Sequence, residues 1–280
     1  MVPGDPVEAM LGEAAAPADR AELRRALGLD LPLPRQALNY FSGLARGDFG
    51  SSLYDQRPVA ALLAERLPFT LALAAAALVI AVLAGVPLGV LAALRRGGLI
   101  DAAATGIASL GIAIPNFWLG PLLILVFAVG LNWLPVSGAD GWRSLILPAL
   151  TLGTSLAAAI ARMVRTATLE VMPELFVTAA RARGLSGAAV LRRHILPVAA
   201  LPVVTVIGLQ LGSLLAGAVI TEVVFSWPGL GELTVTAIKR RDYPVVQAAV
   251  LVISCLYIAV NALTDFLYAR IDPRIAQARA

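Results

Sequence analysis

Five long apolar runs, Phe69–Leu94, Thr105–Leu131, Leu145–Val164, Ile195–Ile220 and Val245–Leu267, are almost free of charged residues, holding only Arg162 and Asp265 near their ends. A run of about 18 or more such residues is long enough to cross a bilayer as a helix. The pattern therefore predicts an all-α polytopic membrane protein with about five spans. Pro87, Pro115, Pro121, Pro148 and Pro202 lie within or near the ends of these runs. A membrane bundle tolerates them because neighbouring helices satisfy the freed backbone groups. Glycine and alanine recur, as in "LAGVPLGVLAAL" and "LQLGSLLAGAVI", and small residues let helices approach closely in lipid. Residues 1–68 hold no comparable run. There "ADRAELRRALGLD" places Ala21, Leu23, Ala26 and Leu27 at helical spacing before a Gly-Leu stop, and "PLPRQALNYFSGLARGDFGSSL" reads as a second short amphipathic helix ending near Gly47. Together they predict a small folded cap rather than a catalytic domain.

Between the third and fourth runs lies "FVTAARARGLSGAAVLRRHILP", Phe176–Pro197, with four arginines and no acid. Leu175, Phe176, Ala179 and Ala182 fall on one side of a short helix. Gly184 can take a positive φ and end it, and Ser186 can cap a second. Two helices joined by small residues make a knob. Its apolar face either enters a groove on a partner or lies on the membrane surface.

Composition agrees with lipid as the solvent. The 280 residues are 59% hydrophobic and 14% charged, with mean hydropathy +0.83, against about 25% charged for soluble domains. The net charge of +4 is small and is not gathered into a stripe that would favour nucleic acid. Basic residues in short loops orient the spans. Arg95, Arg96, Arg162, Arg165, Arg181, Arg183, Arg192, Arg193, Arg270, Arg274 and Arg279 lie on one side, against Arg143, Lys239, Arg240 and Arg241 on the other. This predicts a cytoplasmic loop around residues 165–194 and a cytoplasmic C-terminus. Residues 1–68 then lie outside, although they carry nine acids and seven arginines. The abrupt start "MVPGDP" leads to the expectation of a further, preceding span.

Chemistry within the chain is limited. The single cysteine, Cys255, allows no internal disulfide and reads as a buried small apolar residue. The single histidine, His194, reads as packing or capping at the base of the fourth span, and no spacing for a metal site exists. No G-x-x-x-x-G-K-[ST] loop is present, so nucleotide hydrolysis is not expected here. Asn116 and Phe117, with Trp118, interrupt the second run after Pro115. They are candidates for lining a pathway and equally for packing and interface anchoring. Thr205, Gln210 and Ser213 lie within a turn or two of one another, facing a cavity or bonding between helices. Glu222 follows the fourth run and reads as a water-exposed interfacial acid, or as a contact for an external binding protein or for the N-terminus of a substrate. "SWPGLGE", with Trp227 and Gly229, reads as a re-entrant loop or a rigid external turn. Asp272 and Arg274 read as a local ion pair or helix stop, or else as a contact for a cytoplasmic partner.

The loop "TAARARGLSGAAVLRRHILP" resembles the cytoplasmic loop of importer-type ABC permeases. Ala179 and Ala180 match the family's paired alanines and Gly184 its glycine, while Thr178 stands in the glutamate's place. Glu174 lies one turn earlier, and Pro197 or Pro202 takes the later proline position. "RPVAALLAERLPFTLALA" (57–74), "IPNFWLGPLLILVFAVGLNWLPVSG" (114–138), "TEVVFSWPGLGELTVTAIKRRDYPVVQA" (221–248), "DFLYARIDPRI" (265–275) and "VPGDP" resemble segments of the dipeptide/oligopeptide/nickel permeases, and specifically the first of their two permease subunits. The resemblance runs over essentially the whole chain.

It implies a type I importer transmembrane domain over 68–280, preceded by an external segment 1–67, with six spans expected for the family. It also implies that Glu174, Phe176, Thr178, Ala179, Ala180, Arg181, Ala182, Arg183, Gly184 and Leu185 dock an ATPase subunit as a coupling helix. The implied partners are a companion permease in a heterodimer, two cytoplasmic ATP-binding subunits that hold ATP and Mg, and an external substrate-binding protein. Glu222, Trp227 and Gly229 are its candidate external contacts. An ion-driven transporter would place ionisable groups mid-span, and an intramembrane enzyme would need paired catalytic groups at membrane depth. No ionisable group sits at a predicted span centre, and Asp265 stands alone at a span end.

Overall fold

The computed structural model describes residues 7, 16–26 and 30–271. Among them the chain is helical, with one isolated antiparallel bridge between Ser51 and Pro58. The helices are α1 (Pro17–Ala26), α2 (Leu33–Ala45), α3 (Val59–Leu94), α4 (Leu99–Ala113), α5 (Asn116–Leu123), α6 (Trp142–Val171), α7 (Leu175–Ala182), α8 (Gly187–Val190), α9 (Leu196–Val224), α10 (Leu230–Arg240) and α11 (Tyr243–Ile271). Short π-helical segments, Ile124–Gly130 and Leu191–Ile195, follow α5 and α8. The Gly-Leu stop after α1, the "MVPGDP" start, and Asp272 and Arg274 lie outside the described residues.

Four helical stretches are long and apolar enough to cross a membrane: Val59–Leu94, Trp142–Val171, Gly187–Leu214 and Tyr243–Thr264. The remaining predicted span, Thr105–Leu131, is not straight. It is the pair Leu99–Ala113 and Asn116–Gly130, bent by 105°. Pro115 supplies the cause. A residue before proline is pushed out of the α region, and Ile114 is extended (φ −80°, ψ 117°). The Pro115 carbonyl then starts a new helix by accepting from the N–H groups of Trp118 and Leu119, both at 3.0 Å. The first span begins at Val59, ten residues before the apolar run that predicted it, because an amphipathic turn carrying Glu65 and Arg66 stays helical ahead of the apolar part.

The residues cluster into two compact units. One contains the chain up to Thr70 with Pro228–Cys255, and the other contains Leu71–Trp227 with the residues from Leu256. In the first, Val59, Leu62 and Leu63 pack against Leu230, Leu233 and Ala237 and against Val245, Ala248 and Ala249. Asp242 is buried there. Its carboxylate accepts from the Ser52 hydroxyl and from the N–H groups of Leu53 (3.1 Å) and Tyr54 (3.4 Å). Arg66 pairs with Glu232 at 3.2 Å, and Leu230 N–H donates to the Thr70 hydroxyl at 2.8 Å. Local turns of the N-terminal segment are thus bonded to residues more than 150 positions away.

In the second unit, α3 and α6 meet backbone to backbone. A Cβ on Gly89 would sit 2.5 Å from the Ala161 carbonyl oxygen, and one on Gly85 would sit 2.6 Å from that of Ala157. Lipid offers no hydrophobic drive for helix association, so close packing of small residues supplies the contact. α4 joins them through Ala108, Ala158 and Ala161, with Leu88 beside the cluster. Phe225 is buried with Leu147 and Ala128. Cys255, read from its apolar surroundings as buried, is exposed on α11. Hydropathy does not separate a residue facing another helix from one facing lipid.

Candidate functional site

α6 ends at Val171, and three residues later the chain enters α7. Glu174 is extended (φ −60°, ψ 144°), and its carbonyl accepts from the N–H groups of Val177 (3.0 Å) and Thr178 (3.2 Å). The Thr178 hydroxyl, exposed, reaches the same carbonyl at 3.5 Å. α7 has two unlike sides. Val177 and Ala180 are buried, at 0% and 4% exposure. They pack with Ala167 and Val171 of α6 and with Val190, Ile195 and Ala199. Leu175 is 85% exposed, and Phe176, Ala179 and Ala182 are exposed with it. The four apolar residues that helical spacing groups on one side are all presented outward. Ala180, expected among the docking residues, is instead part of the support. Two positions separated by one residue in a helix point to different sides.

The end of α7 satisfies the criteria of a Schellman turn. Gly184 has φ +83°; its N–H donates to the Arg181 carbonyl (2.9 Å), and Leu185 N–H donates to that of Ala180 (3.4 Å). Ser186 then caps α8 by accepting from Ala189 N–H at 3.4 Å. The knob is therefore a defined helix–turn–helix. The exposed Arg181, Arg183, Arg192 and Arg193 form no ion pair with another described residue. His194 is half-buried in the π-helical segment that leads into α9.

The other candidates are more scattered. Asn116, half-buried at the start of α5, has its amide nitrogen 3.5 Å from where a Cβ of Gly217 on α9 would stand. Phe117 is exposed. On α9, Thr205, Leu209 and Ser213 are exposed at four-residue spacing, with Gln210 half-buried beside them. The Thr205 hydroxyl donates to the Leu201 carbonyl at 3.1 Å. Glu222 and Trp227 are buried, Glu222 at 0% exposure, and Gly229 is buried at the N-cap of α10. The water-exposed reading of Glu222 is thereby corrected. Trp227 N–H donates to the Glu222 carbonyl at 2.8 Å, closing the turn after α9.

Sequence reasoning missed one polar contact close to the knob. Asp101, in the first turn of α4, accepts from Arg165 Nε (2.6 Å) and Nη2 (2.8 Å), from Gly97 N–H (3.0 Å) and from the Thr105 hydroxyl (3.4 Å). By its place in the sequence Arg165 is only one more loop charge. Its separation from Asp101 by 64 positions hides the pair.

A broken span, a close-packed bundle of small-residue helices and a helical knob with an outward apolar face together describe a polytopic membrane protein with a surface suited to docking a partner. The chain belongs to the family described as binding-protein-dependent transport system inner membrane component, which it matches over residues 85–277. Residues 1–74 match the corresponding N-terminal family. It is a multi-pass inner membrane protein. It is 44% identical to the di/tripeptide transport system permease protein DppB of Pseudomonas aeruginosa (strain UCBPP-PA14), covering 100% of this chain and 92% of that protein. It is 45% identical to the glutathione transport system permease protein GsiC of Escherichia coli (strain K12), covering 98% and 90%. Its fold is similar to an inward-facing structure of the MetNI methionine ABC transporter, with TM-score 0.62 and 22% identity over 75% of this chain and 96% of that one.

Proposed function

We propose that this chain is a transmembrane permease subunit of an ATP-driven importer for di- or oligopeptides or a related small solute, and that α7 is its coupling helix. The two-sided α7 is the observation that carries the coupling reading. Val177 and Ala180 anchor the helix to the end of α6, while Leu175, Phe176, Ala179 and Ala182 face outward. An amphipathic helix offering such a face suits a groove on a partner. The exposed arginines around it, which pair with no other described residue, suit acids at the groove's rim, where charge directs encounter and register. The names of the two relatives, one for di/tripeptides and one for glutathione, support a peptide-type substrate.

In this reading a companion permease completes the path, two cytoplasmic subunits bind and hydrolyse ATP with Mg, and an external protein delivers the solute. The knob and the C-terminus lie in the cytoplasm. The exposed stripe of Thr205, Leu209 and Ser213 on α9 is the candidate path wall, since hydroxyls there can exchange hydrogen bonds with a passing peptide backbone. Nucleotide binding and release at the ATPases shifts the α7 position between two states, and only differential contact in those states moves the equilibrium. Cross-linking tests it. In a Cys255→Ser background, Ala182→Cys joins to an ATPase subunit in native-host membranes, and Val177→Cys does not. Absence of any such product at both Ala182→Cys and Leu175→Cys refutes α7 as the docking helix.

A further inference from the structure

We infer that Asp101 and Arg165 are positioning residues that carry movement of α7 across to α4 and to the turn between α3 and α4. The inference rests on the reading of α7 as the coupling helix. The mechanical chain is short. Val177 and Ala180 of α7 share one apolar cluster with Ala167 and Val171 of α6, so a displacement of α7 is passed to the last turns of α6. Arg165 lies in those turns, two residues before Ala167. Its guanidinium grips the Asp101 carboxylate with two bonds, and the same carboxylate holds Gly97 N–H. Gly97 is the positive-φ residue (φ +76°) of the turn that joins α3 to α4. One carboxylate thus fastens α6, the first turn of α4 and the α3–α4 turn to one another.

Elsewhere α4 meets α6 through small apolar surfaces, Ala108 against Ala158 and Ala161, and Gly111 against Ala158 and Thr154. Such faces hold helices together but resist sliding weakly. A small cleft lined by Leu88, Ala104, Thr105, Ala108 and Ala161 lies beside the fork, with Arg165 on its wall. Among the described residues the fork is the one side-chain polar link between α4 and α6. A bidentate Arg–carboxylate pair fixes orientation as well as distance. The Asp101 side chain is 8% exposed, so water competes little for it. A Lys at position 165 keeps the loop charge but not the fork, which separates topology from transmission.

Hydrogen exchange on the reconstituted full transporter tests this, with and without a non-hydrolysable ATP analogue. In the wild type, amides of residues 95–101 and of the α7 knob both change protection with nucleotide. In Asp101→Asn and in Arg165→Lys, the change persists at α7 and is lost at 95–101. Peptide imported per ATP hydrolysed falls at least about fivefold, the lower end of typical coupling between sites, while the ATPase subunits still co-purify. Wild-type amides 95–101 that ignore nucleotide overturn the inference, even where a variant fails to fold. So does a nucleotide response there that survives Arg165→Lys. A wild-type α7 that ignores nucleotide instead refutes the underlying docking reading, so the two failures are distinct.

Discussion

Adjacent alanines on α7 should fail in different ways when each is replaced by arginine. Ala179 is exposed, and a surface change away from special features alters folding by about 0.5 kcal/mol or less. Ala179→Arg therefore leaves the chain folded and inserted. It also sets a bulky cation in the middle of the face formed by Leu175, Phe176 and Ala182. Burying one large apolar side chain stabilises by about 1.5–3 kcal/mol, and loss of a central contact of this kind typically costs about 2–4 kcal/mol of binding. That is roughly a 30-fold or greater weakening of ATPase docking. Ala180 lies in the cluster of Ala167, Val171, Val177, Val190 and Ile195, which holds no acid. Ala180→Arg must bury an unpaired charge, at an effective cost of several kcal/mol, and the knob itself comes apart. The assay pairs two readouts on each variant in mild detergent: monodispersity and melting by size exclusion after a heat step, and recovery of the ATPase subunits by pull-down. Ala179→Arg should melt as the wild type and lose the ATPases; Ala180→Arg should melt earlier. If Ala180→Arg melts normally and loses only docking, or Ala179→Arg keeps normal docking, the division of α7 into a supporting and a docking side is wrong.

Other outcomes follow from particular contacts. Gly89→Val puts side-chain atoms into the Ala161 backbone and should destabilise by about 1–3 kcal/mol or more; Gly106→Val, at a position with open space around it, serves as the control and should melt within a degree or two of the wild type. Gly184→Ala keeps the space but forces a left-handed residue, costing about 1–2 kcal/mol, and should show as faster amide exchange in the α7–α8 turn with the spans unchanged. Asp242→Asn weakens the acceptor for Ser52, Leu53 and Tyr54 at a cost of about 1–3 kcal/mol, and limited proteolysis should then cut between Ser51 and Arg57 sooner; an unchanged cleavage rate would show that this carboxylate does not hold the turn.

The long apolar runs alone determined the class of protein and the approximate spans, because a segment that must lie in hydrocarbon has to be both apolar and helical. Local chemistry likewise made the knob legible. Gly184 ends α7, Ser186 caps α8, and the outward set of Leu175, Phe176, Ala179 and Ala182 follows from spacing alone. What needed the tertiary structure is whatever depends on which apolar face meets protein. In a bilayer both sides of a helix are apolar, so hydropathy does not mark Cys255 as exposed or Glu222 as buried. Pro115 marks where the second run breaks, but the 105° between its two halves is seen only in the assembled structure, where Gly120 of α5 lies against Val224 and Phe225. The grips of Asp101 on Arg165 and of Asp242 on the Ser52 turn join residues 64 and 190 positions apart. No local period carries such pairs; they exist only once the helices are assembled.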